Sequence, residues 1–143
     1  MTEHFIGLMS GTSLDGADGV LARMDARGQL QVQAHAFVAF DAPFKAELMA
    51  LNQSGPDELH RSALVGNQIA RHYATVVHTL LQQAGLRSPN ITAIGAHGQT
   101  VRHQPGAFDG TGYTLQLNNP ALLAELTRID VVADFRSRDV AAG

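Results

Sequence analysis

Three short stretches of this 143-residue chain gather the side chains that do chemistry. The first is Ser10-Gly11-Thr12-Ser13-Leu14-Asp15-Gly16-Ala17-Asp18. Glycines at 11 and 16 permit tight or left-handed backbone and expose successive N–H groups, and three hydroxyls add neutral donors. Such a loop can wrap a phosphate tail. Asp15 or Asp18 could hold a magnesium ion, directly or through water, because Mg2+ favours one or two carboxylates alongside phosphate oxygens. The lysine of a Walker A loop is absent. A strand rather than a helix is expected to follow, which excludes a dinucleotide fingerprint. The same letters also suit a self-satisfied hairpin turn, since Asp-Gly is a favoured hairpin dipeptide.

The second stretch is Ala96-His97-Gly98-Gln99-Thr100-Val101-Arg102-His103. It reads as a polar loop directly after a strand, where donors and acceptors suit a polyhydroxylated ligand and Arg102 suits an anion. His97 and His103 have no carboxylate or cysteine at a familiar metal spacing. A capped loop around one hydrogen-bonded histidine fits equally well. The third stretch, Asp134-Phe135-Arg136-Ser137-Arg138-Asp139, also follows a strand. Its two guanidinium forks could grip a carboxylate or phosphate, or simply form a solvated ion-pair run. A hydrolase triad of Ser13, His97 and Asp134 has no G-x-S-x-G elbow to support it. His60, His72 and His78 fall on a helix and are expected to face solvent or pack structurally.

Composition narrows the setting. Ten basic residues, with Lys45 the only lysine, oppose thirteen acidic ones for a net charge of −3, which argues against a broad nucleic-acid surface. There are no cysteines, so thiol catalysis and disulfide frameworks are excluded. No stretch approaches the roughly 18 apolar residues of a membrane span, and Met1-Thr2-Glu3-His4 does not open a signal peptide. A cytoplasmic domain, with no membrane or nucleic-acid partner, is expected.

The elements that must position these stretches follow from patterning. Phe5–Met9, Gly19–Asp25 and the alternating Leu30–Val38 predict three strands joined by short turns. Phe44–Asn52 predicts a short helix. Asp57–Ala84 predicts a long one, with Leu59, Ala63, Ile69, Ala70, Tyr73, Val77, Leu80, Leu81 and Ala84 at three- and four-residue spacing. Ser54 and Asp57 resemble a capping start with Pro56 in the first turn, and Gly85 and Pro89 supply the stop. Strands at Ile91–Ala96 and Tyr113–Leu117, a helix begun by Asn119-Pro120, and a strand at Ile129–Ala133 complete the order. It predicts an α/β domain with a mixed sheet and flanking helices.

Taken in order, Gly7-Leu8-Met9-Ser10-Gly11-Thr12-Ser13-Leu14-Asp15-Gly16, Ala96–His103 and Asp134-Phe135-Arg136 resemble the anhydro-N-acetylmuramic acid kinases of bacterial cell-wall recycling. The resemblance implies the first lobe of an actin-like ATPase fold, with a ribonuclease H-like five-stranded mixed sheet. It implies phosphorylation of 1,6-anhydro-N-acetylmuramic acid by ATP with Mg2+, coupled to hydrolytic opening of the anhydro bridge. Gly11, Thr12, Ser13, Leu14, Asp15, Gly16, Ala17 and Asp18 match the family's ATP phosphate loop, with Asp15 as the metal residue. His97, Gln99 and Thr100 would lie near the sugar, and Arg136 near its lactyl carboxylate or a phosphate. Members of the family are longer, and their general base lies in an Asp-Thr-Gly-Pro-type segment of a second lobe. Asp109-Gly110-Thr111-Gly112 is similar in letters but comes too early to be assigned that role. Residues 1–143 are therefore expected to form an N-terminal lobe, inactive alone, with an exposed apolar face that favours self-association.

Overall fold

Alternation in the first segment sets the frame. In β1 (Glu3–Met9), Ile6 and Leu8 are buried while Gly7 and Met9 face outward, the period of two that a strand imposes. The computed structural model describes residues 1–143. It pairs β1 antiparallel with β2 (Gly16–Met24), and β2 antiparallel with β3 (Leu30–Ala39). On its other side β1 runs parallel to β4 (Ala93–Ala96). The sheet ends with β7 (Val131–Ala133), parallel to β4. The order β3-β2-β1-β4-β7 makes a five-stranded mixed sheet, the α/β arrangement that the element order predicts.

Helix α1 (Ala42–Ala50) starts two residues earlier than predicted, because the Asp41 carboxylate accepts the Phe44 N–H at 2.8 Å and Pro43 occupies the first turn. Helix α2 (Glu58–Ala84) lays Val65, Ile69, Ala70, Tyr73, Val76, Val77, Leu80 and Leu81 against Ile6, Leu8, Leu21 and Ile94 of the sheet. Each such aliphatic side chain contributes about 1.5–3 kcal/mol when fully buried. Leu59, Ala63 and Ala84, expected on this apolar face, are exposed. A helix of 27 residues runs about 40 Å, whereas the seven residues of β1 span about 23 Å. The helix is therefore longer than β1, and Leu59, Ala63 and Ala84 lie outside its buried stretch, Val65–Leu81.

The start of α2 also differs from its expected cap. Asp57 sits in the left-handed region at φ 56° and caps nothing with its side chain. Pro56 precedes the helix, and it is the Glu58 carboxylate that accepts the Gly55 N–H at 2.8 Å. The C-terminal stop is as predicted: Gly85 is left-handed, and its N–H and that of Leu86 close on the last turn. His60 and His78 are exposed. His72 packs between Phe40 and Phe44, and burial lowers its pKa below the ordinary 6.5.

Two corrections fall in the second half. The predicted polar loop over Gln99–His103 is a strand, β5 (Gln99–Pro105), paired with β6 (Gly112–Leu117) in a two-stranded ribbon. Only Gln99 and Val101 are buried along it, so it carries no apolar alternation to announce it. The run Asp134–Asp139 ends in a short helix, α4 (Ser137–Ala142). Between them α3 (Pro120–Thr127) is capped as predicted, Asn119 accepting the Leu122 N–H at 3.0 Å. One face of the sheet stays uncovered, leaving Met9, Phe37, Val132 and Phe135 between 43% and 57% exposed.

Candidate functional site

Because β1, β4 and β7 are parallel, their C-terminal ends lie along one edge of the sheet, where ligands of open α/β sheets gather. All three chemistry-bearing stretches begin there.

The turn after β1 is shorter than the motif. Ser10 to Asp15 form it, whereas Gly16, Ala17 and Asp18 belong to β2. Ala17 is fully buried in the core, and Asp18 stands on the sheet's open side with His35 Nε2 3.0 Å away. Neither Gly11 nor Gly16 uses a left-handed conformation. That role falls to Leu14 at φ 57°, whose side chain is 5% exposed and anchors the turn in the core. Gly16 is required by space instead: a Cβ there would stand 2.2 Å from the Val38 carbonyl oxygen. At Gly11 the position of a Cβ has no protein atom within 4 Å.

The turn's donors are open. The Leu14 N–H closes onto the Gly11 carbonyl at 3.1 Å, while the N–H groups of Gly11, Thr12 and Ser13 make no hydrogen bond within the chain. Thr12 and Ser13 are exposed. Successive unpaired N–H groups of this kind attract anions. The exposed Asp15 carboxylate is partnered by Lys45 Nζ at 3.3 Å.

The stretch after β4 supplies the neighbouring wall. Gly98 is left-handed at φ 84°, and a Cβ there would meet the Leu117 carbonyl oxygen at 2.8 Å. His97 Nδ1 lies 2.9 Å from the Gly98 oxygen, so this histidine is hydrogen-bonded and half-buried. Gln99 is fully buried, and its Nε2 donates to the Gly11 carbonyl at 3.2 Å. Its Oε1 has no partner, which costs on the order of 1–3 kcal/mol. Tyr73 rises from α2 beneath both turns, fully buried, with its phenol pushed up by burial and so kept as a neutral donor. Thr100 Oγ1 accepts from Gln116 Nε2 at 3.1 Å.

A cavity of 280 Å3 opens on the far side of His97 from the first turn, between the end of β4, strand β6 and the Asp134 run, lined by His97, Gln116, Asn118, Asp134 and Ser137 among others. Asp134 is left-handed, and its carboxylate accepts from Ser137 Oγ. The buried Asn118 Nδ2 has no partner. Arg136 donates to His103 Nε2 at 3.4 Å, which leaves His103 Nδ1 to donate to Thr114 Oγ1 at 3.1 Å.

Two expectations about this region change. Arg102 is not free for an anion, because its guanidinium bonds the Leu51 carbonyl and the Glu58 carboxylate. Gln99, expected beside a sugar, has no exposed surface and faces the first turn. The edge brings together Gly11–Asp15, His97 and Asp134, with Thr100 and Arg136 on its ribbon side. It leaves Ala17 and Asp18 elsewhere. Gln116 and Asn118 stand out in no sequence motif, and Tyr73 only as an apolar helix position. For Asn118 a signal existed, since Asn119 alone suffices to cap α3.

Residues 3–143 match the model of the family described as anhydro-N-acetylmuramic acid kinase. Relatives bearing that name include one from Variovorax paradoxus, 64% identical over 141 residues, which takes in 99% of this chain and 37% of the relative. Another, from Albidiferax ferrireducens, is 61% identical over 143 residues, covering 100% of this chain and 36% of the relative. A third, from Bordetella petrii, is 65% identical over 139 residues, or 97% and 36%. The chain thus spans little more than a third of the length of the curated relatives it matches.

Proposed function

The chain belongs to the anhydro-N-acetylmuramic acid kinase family, and we propose that it forms the phosphate-gripping lobe of an ATP-dependent kinase acting on 1,6-anhydro-N-acetylmuramic acid. The reaction would place a phosphoryl group on the sugar's 6-oxygen while water opens the anhydro bridge, giving N-acetylmuramic acid 6-phosphate. The observation that carries this reading is the turn after β1: three unpaired N–H groups, at Gly11, Thr12 and Ser13, beside an unfilled space at Gly11.

Phosphoryl transfer asks a protein for positioning and charge stabilisation more than for covalent chemistry. The unpaired amides and the exposed hydroxyls of Thr12 and Ser13 are suited to hold phosphate oxygens. Asp15 would hold the magnesium ion, since its pair with Lys45 is exposed and such pairs contribute little. Magnesium, when bound, offsets the charge of the triphosphate. His97 and Asp134 line the cavity read as the sugar site, and Arg136 beside it suits the lactyl carboxylate. Residues 1–143 serve as one lobe, the second lying in the part of the relatives' length outside the match. No side chain of this lobe is assigned as the base. The sheet's open apolar face is the surface for self-association, which sedimentation equilibrium would rule out by finding a monomer at every concentration.

The test is a chimera in which residues 3–143 replace the matching stretch of the Variovorax paradoxus relative. It should release ADP from MgATP only when the anhydro sugar is present. Gly11→Val should cut that rate about 100-fold or more without unfolding the protein. A folded chimera that releases no ADP beside an active parent sinks the reading.

A further inference from the structure

The turns after β1 and β4 are joined underneath by groups that no ligand reaches. The Leu8 carbonyl accepts the His97 N–H at 3.0 Å, the last rung between the strands. Beyond it the Gly98 N–H donates to the Tyr73 hydroxyl at 3.0 Å, and the Ser10 hydroxyl donates to the Gly98 carbonyl at 3.3 Å. Ser10 has one proton, so the 3.4 Å bond between the two hydroxyls is donated by Tyr73. The circuit runs one way, from the Gly98 N–H through Tyr73 and Ser10 back to the Gly98 carbonyl. A second link lies alongside. Gln99 Nε2 donates to the Gly11 carbonyl, the same oxygen that the Leu14 N–H uses to close the turn. Rotating the Gln99 amide by half a turn would set two acceptors against each other, so the orientation is fixed even though Oε1 stays unpartnered.

Neither side chain is explained by packing alone. Phenylalanine would fill the core below as well as Tyr73 does, and methionine would fill the space of Gln99 without an orphaned acceptor. We propose that Tyr73 and Gln99 are positioning residues that clamp the Ser10–Asp15 turn to the Gly98 turn. They thereby fix the separation between the unpaired N–H groups of Gly11–Ser13 and the His97 wall of the cavity. Triphosphate affinity then depends on two residues that never touch the triphosphate. That last consequence rests on the phosphate reading above; the clamp itself does not.

Amide hydrogen exchange on the ligand-free 143-residue chain tests the clamp, with Tyr73→Phe and Gln99→Met as variants. Tyr73→Phe should speed exchange at both Gly98 and Leu14 by tenfold or more relative to Ile69 and Leu80 of α2. Gln99→Met should do so at Leu14 and spare Gly98. The clamp is overturned if Leu14 keeps its wild-type protection in both variants, or loosens only in step with α2. Should Tyr73→Phe fail to fold, Gln99→Met alone decides by the same Leu14 criterion. Titration with MgATP follows by amide chemical shift. Wild type should respond at Gly11–Asp15, and each variant should bind at least fivefold more weakly. Wild-type affinity in both variants overturns the dependence of binding on the clamp. A wild-type chain that ignores MgATP overturns the phosphate reading, while the exchange result still judges the clamp.

Discussion

In the turn between β5 and β6, Asp109 accepts the N–H groups of Thr111 and Gly112 at 3.0 and 2.9 Å, and the Gly106 N–H reaches the Thr111 carbonyl. In the turn after β1, built from similar letters, Asp15 faces Lys45 and the N–H groups of Gly11, Thr12 and Ser13 stay unpaired. The first turn satisfies itself. The amides it gathers hold the Asp109 carboxyl below its ordinary range. The second is held from beneath, by Leu14 in the core and by Gln99 and Ser10 at its base, and its backbone remains available. What separates a turn closed on itself from one left open is where its carboxylate goes.

Substitutions can break each half of this contrast. Gly112→Ala should have the largest effect, because its Cβ would stand 1.9 Å from the Gln104 carbonyl oxygen at a left-handed φ of 69°. A cost of about 3 kcal/mol is expected by denaturant titration. Leu14→Ala should follow at about 2–3 kcal/mol, since it removes the buried anchor. It should also abolish the amide shifts caused by MgATP.

Asp109→Ala should lower the melting temperature by a few degrees at neutral pH. The Asp109 carboxylate is favoured in the folded state, so its contribution is complete above the ordinary carboxyl pKa of 3.8. It is lost as pH falls through the depressed folded value. Melting curves of variant and wild type should therefore converge in acid, and a constant gap would show that the carboxylate's charge is irrelevant. Gly11→Ala should move stability least, within about 0.5 kcal/mol, because nothing surrounds its Cβ. It should nonetheless weaken triphosphate binding sharply, and unchanged binding would place the ligand elsewhere.

Much of the frame was legible in the sequence. The three- and four-residue spacing from Ile69 to Leu81 marks the buried face of α2, and Asn119-Pro120 marks the start of α3. What escaped has physical causes. Leu59 and Ala63 keep the helical period but lie outside the buried stretch, and a period does not report where the partner surface ends. Strand β5 reads as polar because one two-stranded ribbon buries little of it. Gly16–Asp18 read as loop because Gly and Asp favour turns, yet pairing with β3 draws them into the ladder. Tyr73 was visible as a core position. Its hydroxyl was not, since the partners Gly98 and Ser10 lie 25 and 63 positions away.

Leu14 is buried in a left-handed conformation that only a few per cent of non-glycine residues adopt. The one local bond, from its N–H to the Gly11 carbonyl, closes the turn but does not bury the side chain. Its burial in the core offsets the local cost of that conformation, so the turn keeps its shape only while the core around it stays packed. The open backbone of this turn is thereby a property of the packed core and not of the turn's own residues.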